Sequence, residues 1–184
     1  MPSLPKIRDQ SQNQEPGIGG AVPSVATFEI AVDLPRATVW EGLRDLTRAP
    51  RYVPGLTGVE ITTAAQAGIG ASRRVFQKSG GALDETVESW DEGYGFTLRL
   101  HKGDKALAPF KEAWFDYRIA DGAAGNSVFK PSLIYSMPWG PVGALLDMLF
   151  VRKFAVNNVR QVALNFKRHY ETGEITNPAY KPKA

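Results

Sequence analysis

The chain has 184 residues, enough for one domain with terminal extensions, and its 43% hydrophobic and 22% charged content is typical of a globular protein. A net charge of +3 is too small to indicate a nucleic-acid partner, and none is expected. The absence of cysteine excludes disulfides and thiolate metal sites and fits the cytoplasm, which is the compartment we expect. The short apolar runs argue against a membrane-spanning helix.

Both ends of the chain differ in composition from the middle. Residues 1–24 are rich in Gln, Ser, Pro and Gly and lack the continuous apolar segment of a signal peptide, so they predict a disordered leader. Residues 174–184 predict a flexible tail. The folded domain is therefore expected to span residues 25–173.

The domain opens with a strand followed by helical segments. Residues 26–34 alternate between apolar and polar side chains, which is the period of a half-buried strand. Pro35 ends this strand, and residues 36–46 have helical spacing. A second short helix or turn is predicted over residues 49–53.

Six further strands follow in quick succession, separated mostly by short turns. They are predicted over residues 57–63, 71–77, 83–90, 94–101, 111–120 and 127–137. Short turns between successive strands favour an antiparallel meander with one buried face. The longer loop from Lys102 to Pro109 is either a surface connection or a lid over a pocket mouth.

The segment from Pro141 to Thr172 predicts one long amphipathic helix. Its apolar stripe consists of Met148, Val151, Ala155, Val159, Val162 and Phe166. A second apolar line is formed by Leu146, Phe150 and Phe154, and a basic stripe beside it by Lys153, Arg160 and Lys167. The second line is either covered by loops and the early helices, or it marks a homodimer contact or a peripheral membrane contact.

Several segments resemble one known family. FEIAVDLPRATVWEGLRDLTRAPRYVPGL (residues 28–56) resembles the family's opening, in which a strand ends in proline and a Val-Trp pair follows in the first helix. GIGASRRV (68–75), ETVESW (85–90) and PVGALLDMLFVRKF (141–154) resemble later segments. The chain is similar, over nearly all of residues 26–173, to the START-like helix-grip superfamily, which includes birch-pollen-allergen-like and polyketide cyclase/dehydrase-like proteins.

The resemblance implies an α+β helix-grip fold, with a curved antiparallel sheet of about seven strands, in the order β-α-α-β6-α, around a long C-terminal helix. It also implies a deep, mostly apolar pocket that binds a small hydrophobic ligand such as a polyketide, an isoprenoid or a lipid. Members range from cyclases and dehydrases to carriers and membrane quinone-binding proteins, so enzymatic activity stays open. No cofactor is expected.

A hairpin around residues 79–81 is expected to bring two charges together. If Val75 faces Leu83, then Arg73 faces Glu85 on the apolar side of the sheet. The pair is either an internal salt bridge that satisfies two buried charges or a ligand site. In the second case Arg73 binds a carboxylate, enolate or phenolate, and Glu85 orients it.

Other candidate ligand-binding residues face the same side of the predicted sheet or lie on the closing helix. With the pair, the set is Tyr52, Arg73, Glu85, Phe96, Leu98, Phe115, Tyr117, Leu133, Tyr135, Met148, Val151 and Ala155. Tyr52 is expected near the pocket mouth, and the hydroxyls of Tyr117 and Tyr135 could anchor a carbonyl or hydroxyl group of a ligand.

Three further expectations concern single residues and metals. Trp90 has the opposite parity from Glu85, so it is expected on the outer sheet face or in a turn. His169 is expected as a favourable cation near the end of the closing helix. No catalytic residue is assigned, and no metal site is predicted because no HExxH motif or Cys/His cluster occurs.

Overall fold

The computed structural model describes residues 23–182, so all but the last two residues of the predicted leader lie outside the described part. The strands are β1 (Ser24–Thr27), β2 (Ile30–Val32), β3 (Leu56–Ile61), β4 (Ser72–Gln77), β5 (Ala82–Asp91), β6 (Gly95–Lys102), β7 (Lys105–Ala106), β8 (Glu112–Asp121) and β9 (Ser127–Ser136). The helical elements are α1 (Arg36–Leu43), a 3-10 helix (Leu46–Arg51), a 3-10 turn (Ala123–Gly125), α2 (Gly140–Leu146), a π-helical turn (Asp147–Val151) and α3 (Arg152–Thr172).

All strand pairs are antiparallel, and seven strands form one continuous path in the order β1-β9-β8-β6-β5-β4-β3. The short strands β2 and β7 pair with β9 and β6, respectively. Helix α3 packs against β1, β2 and β9. The predicted α+β helix-grip fold is therefore confirmed.

The first predicted strand is divided into β1 and β2 by a proline on the neighbouring strand. Both pieces pair with β9 in one register, Thr27 with Ser132 and Ile30 with Phe129. Pro131 lies between these two partners and has no N–H to donate, so it only accepts, from the Phe28 N–H. The ladder is interrupted at this point.

The first predicted helix ends earlier than expected because an acidic side chain starts a new helical turn. Helix α1 stops at Leu43, and the Asp45 carboxylate accepts a hydrogen bond from the Thr47 N–H at 2.9 Å. This contact caps the 3-10 helix at its N-terminus. The chain thereby turns toward β3, and Tyr52 follows directly after the 3-10 helix.

An irregularity in β5 corrects the expectation for Trp90. The pairing with β6 shifts between Val87 and Ser89, so one extra residue reverses the side-chain alternation beyond that point. Trp90 consequently stacks on buried Phe96 at 5.4 Å and meets Trp40 edge-on, inside the domain.

The closing helix is interrupted, contrary to the prediction of one regular helix. A π-helical turn contains one more residue than an α-helical turn, so it rotates the side chains that follow around the helix axis. Asp147 consequently points inward, where it is buried. Met148, predicted to line the pocket, is 65% exposed as a result. Beyond the π-helical turn the predicted face is correct, because Ala155, Val159, Val162 and Phe166 are fully buried.

The C-terminal segment is held against the domain, which corrects the prediction of a flexible tail over its described part. The Asn177 side chain is fully buried and donates to the carbonyls of Pro50 and Leu56, each at 2.7 Å. The backbone N–H groups of Thr176 and Asn177 both donate to the Arg51 carbonyl. These bonds satisfy buried polar groups around the 3-10 helix.

Candidate ligand-binding site

The predicted pairing of Arg73 and Glu85 is confirmed. In the β4–β5 hairpin Val75 lies opposite Leu83 and Arg73 lies opposite Glu85. The Arg73 Nε atom donates to Glu85 Oε2 at 2.6 Å, and a terminal guanidinium nitrogen donates to the Leu46 carbonyl. Arg73 is only 2% exposed and the Glu85 side chain 12%, so both charges lie inside the domain.

Two buried tyrosines, Tyr52 and Tyr117, lie close enough to this pair for its charges to affect their pKa values. Burial raises the pKa of Tyr52 and of Tyr117, although the positive charge of Arg73 opposes the shift in both phenols. Burial alone would lower the pKa of Arg73, but the adjacent Glu85 raises it above its ordinary value. At neutral pH both phenols therefore keep their protons and the guanidinium keeps its charge.

The resulting buried polar cluster, defined here as Tyr52, Arg73, Glu85 and Tyr117, is rich in donors. It presents two phenolic hydroxyls and the guanidinium as donors, with one carboxylate as the balancing acceptor. Donors of this kind suit an oxygen atom that is negatively charged or strongly polarised. The role of these residues in ligand binding stays a prediction.

Apolar side chains continue the interior from this cluster. Phe96, Leu98, Phe115 and Leu133 are buried, as their alternation predicted, and Tyr117 packs on both Phe96 and Phe115. On the buried face of α3, Ala155 lies near the start of the helix and Phe166 toward its end, where it stacks on Phe129 at 3.7 Å. The end of the interior near Phe166 is therefore filled by aromatic rings, and the smallest side chains on the buried face of α3 are Ala155 and Ala163.

Tyr52 does not lie at a pocket mouth. Its ring is buried against Phe166, His169 and Tyr170 near the end of α3. His169 is itself buried, and burial lowers its pKa, so the expectation of a cationic histidine is wrong. Its Nδ1 lies within hydrogen-bonding distance of the Glu174 carbonyl.

A second buried polar group involves a residue that the sequence analysis did not single out. Asp147 accepts hydrogen bonds from the hydroxyls of Tyr135 at 2.6 Å and Ser24 at 2.7 Å. Tyr135 is thus already satisfied, and it lies apart from the cluster around Arg73 along the sheet. One signal in the sequence could have identified it. Asp147 is the only acidic residue between positions 122 and 170, and it lies in an otherwise apolar segment of the closing helix.

The second apolar line of the closing helix is not covered within the described residues. Phe150 and Phe154 are among the most exposed apolar side chains, so the expectation that loops or early helices cover this line is wrong. Val151 is partly buried and packs against the core. Lys167, predicted as part of the basic stripe, has its charge paired, because it contacts Glu171 at 2.5 Å and Asp33 at 3.6 Å.

A groove of about 310 Å³ lies outside the predicted set, between α1 and the end of α3. Its lining includes Thr38, Glu41, Arg48, Arg51, His169 and Tyr170. Arg48 is engaged there by Asp45 at 3.4 Å. Periodicity alone could not find this groove, because its walls come from segments more than a hundred residues apart.

Within residues 23–182 no group of three or more His, Cys, Asp or Glu side chains is arranged to hold a metal ion. In the same described part of the chain, no helix is both long enough and apolar enough to cross a bilayer.

Known proteins are similar to this chain in sequence family and in fold. A family model described as polyketide cyclase / dehydrase and lipid transport matches residues 25–171. A START superfamily protein from Mycobacterium smegmatis has a TM-score of 0.63 at 14% identity, covering 80% of this chain and 97% of that one. Ara h 8.0201 has a TM-score of 0.53 at 18% identity, covering 78% and 98%. At these identities the two structures are evidence for the fold alone, and no curated protein matches the chain.

Proposed function

Because the chain belongs to the polyketide cyclase / dehydrase and lipid transport family, we propose that it binds a small hydrophobic molecule between the sheet and α3. The buried polar cluster is the observation that carries this proposal. A buried arginine with two protonated phenols at the edge of an apolar interior is suited to the polar end of an otherwise apolar ligand. A polyketide, an isoprenoid or a lipid with a carbonyl, hydroxyl or carboxylate has this chemistry.

The interior also supports a particular orientation of the ligand. Arg73 and Tyr117 would hold an oxygen atom of the ligand, while Leu98, Phe115 and Leu133 would contact its apolar body. Ala155 is a small side chain on the buried face of α3, and the apolar body of the ligand would lie against it. The aromatic stack around Phe166 would close the far end.

The family also includes cyclases and dehydrases, and the same cluster could stabilise an oxyanion as it forms. Either reaction additionally needs a group that moves a proton. Glu85 accepts a hydrogen bond from the Arg73 Nε atom at 2.6 Å, so its carboxylate is held as an ion-pair partner and is not a free acid or base. We therefore favour binding without turnover over catalysis. The cytoplasm is the compartment we propose, because a chain without cysteine fits a reducing environment.

One experiment combines ligand extraction with the substitution Ala155→Leu. We expect the purified protein to release a hydrophobic molecule into organic solvent, detected by mass spectrometry. Leucine at position 155 would occupy the space of the ligand, so the variant should release much less of it while remaining folded. Val156→Leu, at an exposed neighbouring position, is the matched control and should release as much as the parent protein.

The stability of the same variant tests the premise of an internal space. If the interior were packed solid, the added methylene groups would strain it by roughly 1–3 kcal/mol. A clear loss of stability in Ala155→Leu, together with no extractable molecule from the parent protein, would rule out the carrier and cyclase hypotheses together.

A second candidate function is a non-catalytic carrier or interaction module that acts at a membrane surface or on a protein partner, including a second copy of the chain. The exposed apolar side chains of the α2 and π-helical segment favour this candidate. It is compatible with internal binding, since a carrier needs both a pocket and a place to load it.

A further inference from the structure

The segment from Trp139 to Phe154 carries an unusual concentration of exposed apolar side chains. We call this surface the crest, and its members are Trp139, Val142, Leu145, Leu146, Met148, Leu149, Phe150 and Phe154, between 37% and 70% exposed. Isolated exposed apolar residues are ordinary, but a contiguous group of this kind marks an interaction surface.

The crest is held outward by specific contacts on its inner side. Asp147 ties the π-helical turn to Tyr135 and Ser24. Gly143 allows close packing, because a Cβ atom there would lie 1.9 Å from the Pro138 carbonyl oxygen. Trp139 adopts a left-handed conformation, with φ of 68°, that is unfavourable for a bulky residue. The turn thus presents an exposed indole at a conformational cost.

Positive charge lies on the crest segment and at the end of the sheet from which the crest begins. Strand pairing places the 77–82 turn, the 102–112 connection and the 136–140 connection at one end of the sheet, since Phe76 pairs with Ala82, Asp84 with His101 and Glu112 with Ser136. The exposed basic residues of these connections and of the segment from Trp139 to Phe154 are Lys78, Lys102, Lys105, Lys111, Arg152 and Lys153. None of them forms an ion pair within residues 23–182.

Few acidic groups offset this charge. Asp104 and Glu112 are the acidic residues of the three connections, and Asp147 is buried under the crest. An apolar helix face bordered by unpaired lysine and arginine is the pattern of a surface that lies in the interface of an anionic membrane. A crest-to-crest dimer would instead bring two sets of like charges together.

We propose that the crest docks this protein on membranes containing anionic phospholipid, with Phe150 and Phe154 inserted and the flanking cations on the headgroups. The inference rests on the carrier function proposed above and names the partner of that carrier. Trp139 lies at the border between the apolar crest and the basic connections, a position that suits an interfacial indole. The hairpin ends near Lys78 and Lys105 would face the bilayer in this orientation.

The test measures cosedimentation of the full chain with phosphatidylcholine vesicles, with and without phosphatidylglycerol. We expect binding to the anionic vesicles that weakens at high salt. Phe150→Ser with Phe154→Ser should weaken it by about tenfold or more, and Arg152→Glu with Lys153→Glu by at least about tenfold. The matched controls Ile69→Ser and Lys130→Glu, both toward the opposite end of the sheet, should bind as the parent protein does.

Tryptophan fluorescence identifies the face that docks. Trp40 and Trp114 are buried and Trp90 is half-buried, whereas Trp139 is 70% exposed. Anionic vesicles should shift the emission to shorter wavelength, and Trp139→Phe should abolish the shift while leaving binding largely intact. Binding without any shift would overturn the proposal, because another surface would then be docking.

Other outcomes are equally decisive. Failure of the parent protein to bind anionic vesicles, or equal weakening in the control variants, would refute the proposal. A dimer in solution that dissociates in the Phe150→Ser, Phe154→Ser variant would identify a second copy as the occupant instead. Extraction of ligand separates the two hypotheses: vesicle binding by a protein without extractable ligand would leave docking standing and the internal-binding function refuted.

Discussion

Substitution of Arg73 by methionine should reveal how strongly the interior depends on charge pairing. The change removes the 2.6 Å hydrogen bond to Glu85 and the donor to the Leu46 carbonyl, while methionine keeps much of the side-chain volume. Glu85 would remain as a nearly buried carboxylate without a partner. We expect the free energy of unfolding to fall by about 3–5 kcal/mol.

A double variant isolates the electrostatic part of that loss. Arg73→Met combined with Glu85→Leu removes both charges, so no carboxylate is left unpaired in the interior. The double variant should be more stable than Arg73→Met alone by roughly 2–3 kcal/mol. Urea unfolding, followed by circular dichroism and tryptophan fluorescence and fitted with one common slope, gives both free energies.

The neighbouring arginine provides a matched control. Arg74 donates to Asp84 at 2.7 Å on the opposite face of the hairpin, but its side chain is half exposed. Asp84 is as buried as Glu85, but it keeps the Gly103 N–H as a donor at 3.0 Å, so Arg74→Met should cost less than Arg73→Met. If the two arginine variants lose the same stability, or if the double variant is no more stable than Arg73→Met, then water reaches the Arg73–Glu85 pair and the reasoning from burial is wrong.

Three further substitutions test the buried polar contacts outside this pair. Asn177→Ala should destabilise the protein by roughly 2–3 kcal/mol in urea unfolding, because two buried carbonyls lose their donor; unchanged stability would mean that the C-terminal segment is loose. Tyr135→Phe should cost about 1–3 kcal/mol, because buried Asp147 then keeps only the Ser24 hydroxyl, and a neutral effect would show that water replaces the phenol. Burial lowers the pKa of His169 below 6.5, so the unfolded chain takes up the proton first and stability should fall as the pH drops below 6.5. His169→Asn should flatten this dependence, and an equally steep fall in the variant would assign it to other groups.

Much of the site could be predicted where alternation and a short turn determine the register. The spacing around residues 79–81 was enough to place Arg73 opposite Glu85, because in a tight antiparallel hairpin the pairs are determined by the turn. Parity within one uninterrupted strand likewise placed Leu98, Phe115 and Leu133 inside. The fold itself followed from the element order and from the resemblance of the opening segment to a known family.

Two of the corrections arose where one extra residue shifts the repeat. The irregularity after Val87 moved Trp90 to the interior, and the π-helical turn moved Met148 to the surface and Asp147 inside. A prediction from hydrophobic periodicity assumes a constant period along each strand or helix, so it cannot detect such an insertion. Contacts with distant residues, such as Ser24 with Asp147, accompany each shift.

The amino-acid sequence by itself determined the class of fold, the alternation of the strands and the charged pair of the hairpin, because each of these depends on neighbours close along the chain. Only the tertiary structure decided that two tyrosines lie close to that pair, that Asn177 anchors the C-terminal segment, and that the crest has no cover within the described residues. Those features depend on which side chains meet although they are far apart along the chain, and on how burial shifts the energies of polar groups once they have met.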